Sequence, residues 1–236
     1  MEGRCVHERC HGPSESTVFY RDGLPLDVNT VTEELNVFID GVGNMIEDVE
    51  SHFANRQNDF RSMCFYNIYN RGILTREIVT LLEKSARPFQ EESNESQELE
   101  RLMIVTRGLF TDTMSSIEKA AKDCIPAYWM NDIKEKALEN SSYLYLRYII
   151  YASAEKGLVS QKQLKEWDSV FLMRNLVMHN NSVADRSMVF ELEDLKISMR
   201  PDRMMKGPST TFVKLSEKAV ELFYEWLKKV SEAYKK

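Results

Sequence analysis

The chain has 236 residues, 43% of them hydrophobic, which is enough to fill the core of one large domain or two small ones. Its 31 Lys and Arg against 37 Asp and Glu give a net charge of -6 with no dense basic block, so broad electrostatic attachment to duplex DNA or to an anionic membrane is not expected. The opening MEGRCVHERCHGPSES lacks the apolar core of a signal peptide, no stretch approaches the length of a membrane span, and Cys5, Cys10, Cys64 and Cys124 are too scattered for a disulfide framework; the expectation is a cytoplasmic protein.

Residues 1–28 mix Gly, Pro, Ser and Arg without a period and read as a mostly irregular lead-in, while residues 29–236 contain no repeat or linker and read as one domain. Thr30 and Glu33 suit a capping box, and Leu35, Phe38, Ile39, Val42, Ile46, Val49 and Phe53 recur at helical spacing. This predicts a long first helix to about Tyr66 or Tyr69, bent near Gly41 and Gly43. Gly72 then breaks the pattern, and a second helix from Thr75 must end before Pro88. Polar residues 90–98 form a loop or the first turns of a third helix, marked by Leu99, Met103, Leu109, Met114 and Ile117 and stopped near Cys124 by Ile125 and Pro126.

A fourth helix is predicted from about Asn131 to Lys156, carrying the aromatic run YLYLRYIIY and capped by Gly157. Ser160 caps a fifth, through Leu164, Trp167 and Phe171 to about Met178. The period then switches to two, with Met188, Phe190 and Leu192, then Leu195, Ile197 and Met199, and a third extended piece near Thr211 to Val213, the PDRMMKGPS segment forming a loop. Ser216 opens the last helix, whose stripe is Ala219, Leu222, Phe223, Trp226, Leu227 and Val230. The fold class is therefore mainly α: a bundle of about six helices with a small β hairpin or ribbon between the fifth and the last.

Within the fifth helix the stretch RNLVMHNN sets Arg174, Asn175 and His179 in an apolar run, and a helix so apolar in its second half belongs inside its subunit or against a partner. Asn175 and His179 are helical neighbours at a spacing of four, and Arg174 is long enough to reach the ground before the imidazole. The trio suits cleavage of an RNA phosphodiester. A His near neutrality can take or give a proton, an always-charged guanidinium can hold the phosphate, and Asn175 can orient the imidazole or add a hydrogen bond. No metal or cofactor is called for. An ordinary structural role competes with this: Arg174 paired with an acid such as Glu33 or Asp40, and Asn175, His179 and Asn180 satisfying loose carbonyls at the helix end.

Two further clusters carry possible chemistry. Cys5, His7, Cys10 and His11 could bind zinc, but the spacing is tight and no second ligand pair follows, so an incidental tail is the expectation. Tyr143, Tyr145, Tyr148 and Tyr151 around Arg147 could stack bases, although such a run more often forms a core or dimer face; Arg147 remains a candidate extra phosphate contact. His52, alone on the first helix, reads as a surface or boundary residue.

An Arg followed by Asn, three mostly apolar residues and His near the end of a late helix resembles the HEPN superfamily, and the continuation HNN resembles its RNxxVHN-like branch. The resemblance spans residues 30–235 in architecture and about eight residues in motif. It implies a helical bundle, commonly a homodimer whose motif helices face each other, and a metal-independent endoribonuclease in a toxin, defence or RNA-processing setting. It also allows an inactive module for dimerisation or for binding a nucleotide or a protein. By residue it makes Arg174 the phosphate holder, His179 the acid or base and Asn175 the polar residue beside the Arg, with Asn180, Asn181 and Arg147 as candidate substrate contacts. Members paired with nucleotidyltransferase antitoxins carry a Tyr two residues beyond the His; here Asn181 stands there, so modification of such a Tyr is not expected, while a protein partner or antitoxin is left open by the resemblance. Acidity speaks for the inactive alternative, since Leu24 to Asn55 holds several acids and no Lys or Arg.

Overall fold

Asp59 decides where the second helix begins. In this computed structural model, which describes residues 28–52, 59–85, 92–139, 141–179, 187–192, 195–199, 201 and 209–234, the Asp59 carboxylate accepts the backbone N–H of Arg61 at 2.9 Å, satisfying one of the open donors of a helix start. The same carboxylate pairs with the Arg61 guanidinium, which also donates to the Tyr128 hydroxyl, and both charged side chains are buried. Helix α1 therefore spans Val28–His52 and α2 spans Phe60–Ser85, rather than one helix running on to Tyr66. Thr30 lies in the first turn of α1, two residues inside its start.

Gly72 does not break α2. A Cβ there would lie 3.0 Å from Ile39 and 3.1 Å from the Phe38 ring, so the missing side chain lets α1 approach, and the helix that was expected to begin at Thr75 is the second half of α2. Helix α3, Glu92–Ala127, also passes the expected stop and contains Pro126. It ends instead in a Schellman motif, with Met130 N–H on the Ile125 carbonyl at 2.9 Å and Trp129 N–H on Pro126 at 3.4 Å. Trp129 takes the left-handed position, at φ 57°, that Gly usually fills.

The predicted fourth helix is two: α4, Asn131–Leu138, and α5, Leu146–Glu155. Between them the Ser141 hydroxyl accepts the Tyr143 N–H at 3.1 Å, a local turn that interrupts the helix. Tyr143, Leu144, Tyr145 and Leu146 then alternate, the leucines inward and the tyrosines outward. Gly157, at φ 76°, ends α5 in a second Schellman motif. Helix α6, Gln161–His179, opens with a reciprocal box in which Ser160 N–H meets Gln163 at 2.9 Å and Gln163 N–H meets the Ser160 hydroxyl at 3.2 Å.

After α6, β1 (Met188–Leu192) and β2 (Leu195–Met199) pair antiparallel, with Phe190 opposite Ile197 and both buried. Thr211 to Val213 is not a third extended piece but the first turn of α7, Thr211–Ala233. β-branched and aromatic residues suggest a strand there, yet Phe212 stacks on Phe110 at 6.1 Å and falls on the same buried stripe as Leu215, Ala219 and Leu222. The lead-in as far as residue 27 and nearly all of PDRMMKGPS lie outside the described residues.

Among the described residues the fold is thus mainly helical, with seven helices where about six were expected. α1, α2, α3 and α7 each pack on the next and α7 returns to α1, closing a four-helix ring. Tyr66 bonded to Glu50 and Arg76 bonded to Asn36 show α1 and α2 running antiparallel, while Lys214 near Glu34 and Tyr224 on Asp48 show α7 parallel to α1. Phe65, Phe223 and Trp226 stack through the middle, and the buried Trp226 indole donates to the Ser153 hydroxyl of α5 at 3.0 Å. Helix α6 is held against this ring by α3, α5 and α7. No helix among the described residues is long and apolar enough to cross a membrane.

Candidate functional site

The inner side of α6 is made by Trp167, Val170, Phe171, Met173, Leu176 and Val177, all buried. That anchoring leaves a narrow outer strip near the helix end. The helix is therefore not enclosed all round within the chain: Asn175 and Met178 are exposed, Met178 to 56%, and the Arg174 side chain is 31% exposed. His179 is the last residue of α6, one turn beyond Asn175. Asn180 and Asn181 lie outside the described residues.

Arg174 does pair with an acid of its own subunit, as an ordinary structural role would have it, but the acid is neither Glu33 nor Asp40, both of which are exposed on α1. Its Nη2 donates to Glu118 Oε2 on α3 at 2.8 Å, and Lys122, one turn along α3, donates to Glu118 Oε1 at 2.8 Å. One carboxylate, itself only 11% exposed, thus holds two cations, and the three groups together retain one positive charge. A short acidic bridge of this kind fixes the guanidinium while leaving its other N–H groups for an anion. Sequence spacing gave no warning of it. Glu118 and Lys122 are four apart, an ordinary surface pair on a helix, and nothing local ties them to an Arg 56 positions later.

Arg147 has different partners from Arg174. It is exposed on α5 and donates through Nε to the Tyr151 hydroxyl at 2.8 Å, while its Nη2 lies 3.8 Å from Asp168 of α6; the Tyr151 hydroxyl donates in turn to Asp168. Burial and then that bond to Asp168 push the Tyr151 hydroxyl above its ordinary pKa. Arg147 and Tyr151 therefore brace α5 to α6. Tyr143, Tyr145 and Tyr148 form a separate group, with ring centroids 6.1 and 6.4 Å apart in succession, and Lys122 lies 5.9 Å from the Tyr145 ring.

Other reactive groups are accounted for within the fold. Burial pushes the Cys64 and Cys124 thiols well above their ordinary range, which makes them inert as nucleophiles. His52, at the end of α1, contacts the Asp48 carbonyl at 3.1 Å and is exposed. No cluster of three or more His, Cys, Asp or Glu side chains that could hold a metal ion occurs among the described residues, and Cys5, His7, Cys10 and His11 lie outside them. Comparison of the chain with family models, with curated proteins and with solved structures finds no match.

Proposed function

We propose that the chain is a HEPN-like, metal-independent endoribonuclease acting from the end of α6. The single observation that supports the reading is that Arg174, Asn175 and His179 lie in the last turns of one helix, where Asn175 is exposed and the Arg174 side chain partly so. In the reaction, the ribose 2'-oxygen attacks the adjacent phosphorus, forming the O2'–P bond and breaking the P–O5' bond. The 2'-hydroxyl proton passes to a base, and O5' leaves with a proton from an acid; the products are a 2',3'-cyclic phosphate and a 5'-hydroxyl. His179 is the proton-transfer group, Arg174 carries the charge that grows on the phosphate, and Asn175 orients one or the other. In a homodimer facing through α6, the two copies of His179 serve as base and acid in one turnover. A cytoplasmic setting and a protein partner or antitoxin belong to the same reading.

One observation favours the second reading, a noncatalytic module for dimerisation or for binding a nucleotide or protein: Glu118 offsets part of the charge that Arg174 would bring to a phosphate. Cleavage of a mixed RNA pool without divalent metal separates the two. Wild-type protein cutting to cyclic-phosphate ends, with cutting reduced at least about a hundredfold in His179→Ala, fits general acid–base catalysis by that residue. A folded, dimeric wild type that leaves the pool intact moves the assignment to the binding module.

A further inference from the structure

Three tyrosines beside the site have no part in the chemistry above. Tyr143 is 69% exposed and Tyr145 46%, although large aromatic rings normally gain most by burial. Their exposure follows from the alternation after α4, in which Leu144 and Leu146 take the inward positions, and Tyr145 holds extended backbone at the start of α5. Tyr148 packs behind them, half-buried, and supports the row. The rings are tilted by 59° and 54° to one another rather than stacked flat, and the two outer ones remain exposed.

The row is joined to the site by one residue. Lys122 sits 5.9 Å from the Tyr145 ring and binds the same carboxylate, Glu118, that orients Arg174. Going outward from Arg174, the order is guanidinium, carboxylate, ammonium, then two exposed aromatic rings. We propose that this row is the substrate-docking surface of the site and that its occupant is single-stranded RNA, with bases stacked on Tyr143 and Tyr145 and the phosphate on the Arg174 side of Tyr145 near Lys122. The inference rests on the RNA-cleaving reading above and specifies its substrate. Exposed rings beside a cation suit a flexible strand, because every base has a face to stack and every linkage a charge to meet. Paired bases in a duplex have no free faces, and an acidic protein with so local a positive cluster has little hold on a regular double helix.

The test is binding rather than turnover, so that it is judged separately from cleavage. The probe is a fluorescein-labelled, mixed-sequence RNA single strand with 2'-O-methyl groups throughout, which cannot supply the attacking hydroxyl, titrated against the full chain and its variants. Tyr143→Ala and Tyr145→Ala should each weaken binding by roughly tenfold, Tyr145→Phe should restore most of it, and a blunt duplex of the same sequence should fail to compete. Equal binding by wild type and the alanine variants overturns the proposal, as does a wild type that does not bind the single strand. Loss of self-association in the alanine variants with RNA binding unchanged would reassign the row to a second copy of the chain. Absence of metal-free cleavage alongside tyrosine-dependent binding would count against the nuclease chemistry and leave the docking surface standing.

Discussion

Glu118 is the residue on which the site's geometry turns, because it fixes Arg174 from a helix that carries no motif residue. Glu118→Gln keeps an acceptor for the guanidinium but removes the charge that holds both Arg174 and Lys122. On the proposed nuclease reading, metal-free cleavage should fall by about tenfold, mainly in kcat, while both cations remain partly exposed and the lost pairing costs about 1 kcal/mol or less, so the melting temperature should move little. Matched kinetics and thermal unfolding check this, and unchanged kcat would show that Arg174 needs no such brace. That Arg174, Asn175 and His179 share one helix was legible in the sequence, because spacing within a helix fixes relative direction. Glu118, like the Asp168 that receives Arg147 and Tyr151, was not. Tertiary pairing depends on which helices adjoin, and charged residues at many surface positions look alike until that is known.

Among the elements, α1 and α2 show how a correct hydrophobic period can still be cut in the wrong place. The apolar stripe through Phe53 suggests one helix to about Tyr66 or Tyr69, with Gly72 as its punctuation. In the fold the cut is made by Asp59, whose carboxylate caps α2, whereas Gly72 allows close helix contact. The two glycines offer opposite expectations. Gly72→Ala should destabilise by about 1–2 kcal/mol, since its methyl group meets Ile39 and Phe38 at 3.0–3.1 Å and the overpacking outweighs the gain in helix propensity. Gly41→Ala, with nothing within 4 Å of the added carbon, should stabilise by up to about 1 kcal/mol. Urea unfolding of both variants against wild type reads the two signs. The start of α7 carries the same lesson: Thr-Phe-Val has strand composition, but the stripe it joins is helical, and burial of Phe212 against Phe110 decides the outcome.

For the whole molecule, α7 is the element that ties separate parts together. Tyr224 donates to Asp48 on α1, and Tyr234 donates to Asp132 of α4 at 3.0 Å; burial first, and then these bonds, push both hydroxyls up to about 12. Because the folded values lie above the ordinary tyrosine value of about 10, the stability these groups contribute is complete below about pH 10 and is lost as the pH rises through about 12. Replacing both by Phe should therefore flatten the fall of unfolding free energy across that window, measured by urea titration at a series of alkaline pH values. A slope equal to the wild type's would mean that the two phenols do not link α7 to its neighbours energetically. The corner where α3 gives way to α4 has a different use. Trp129 stands 67% exposed in its left-handed position, while Trp167 and Trp226, the other two indoles of the chain, are fully buried. The protein thus carries a built-in optical contrast: an aqueous quencher such as iodide silences one emitter and spares two, so the same unlabelled sample reports the state of that corner and of the interior as separate signals.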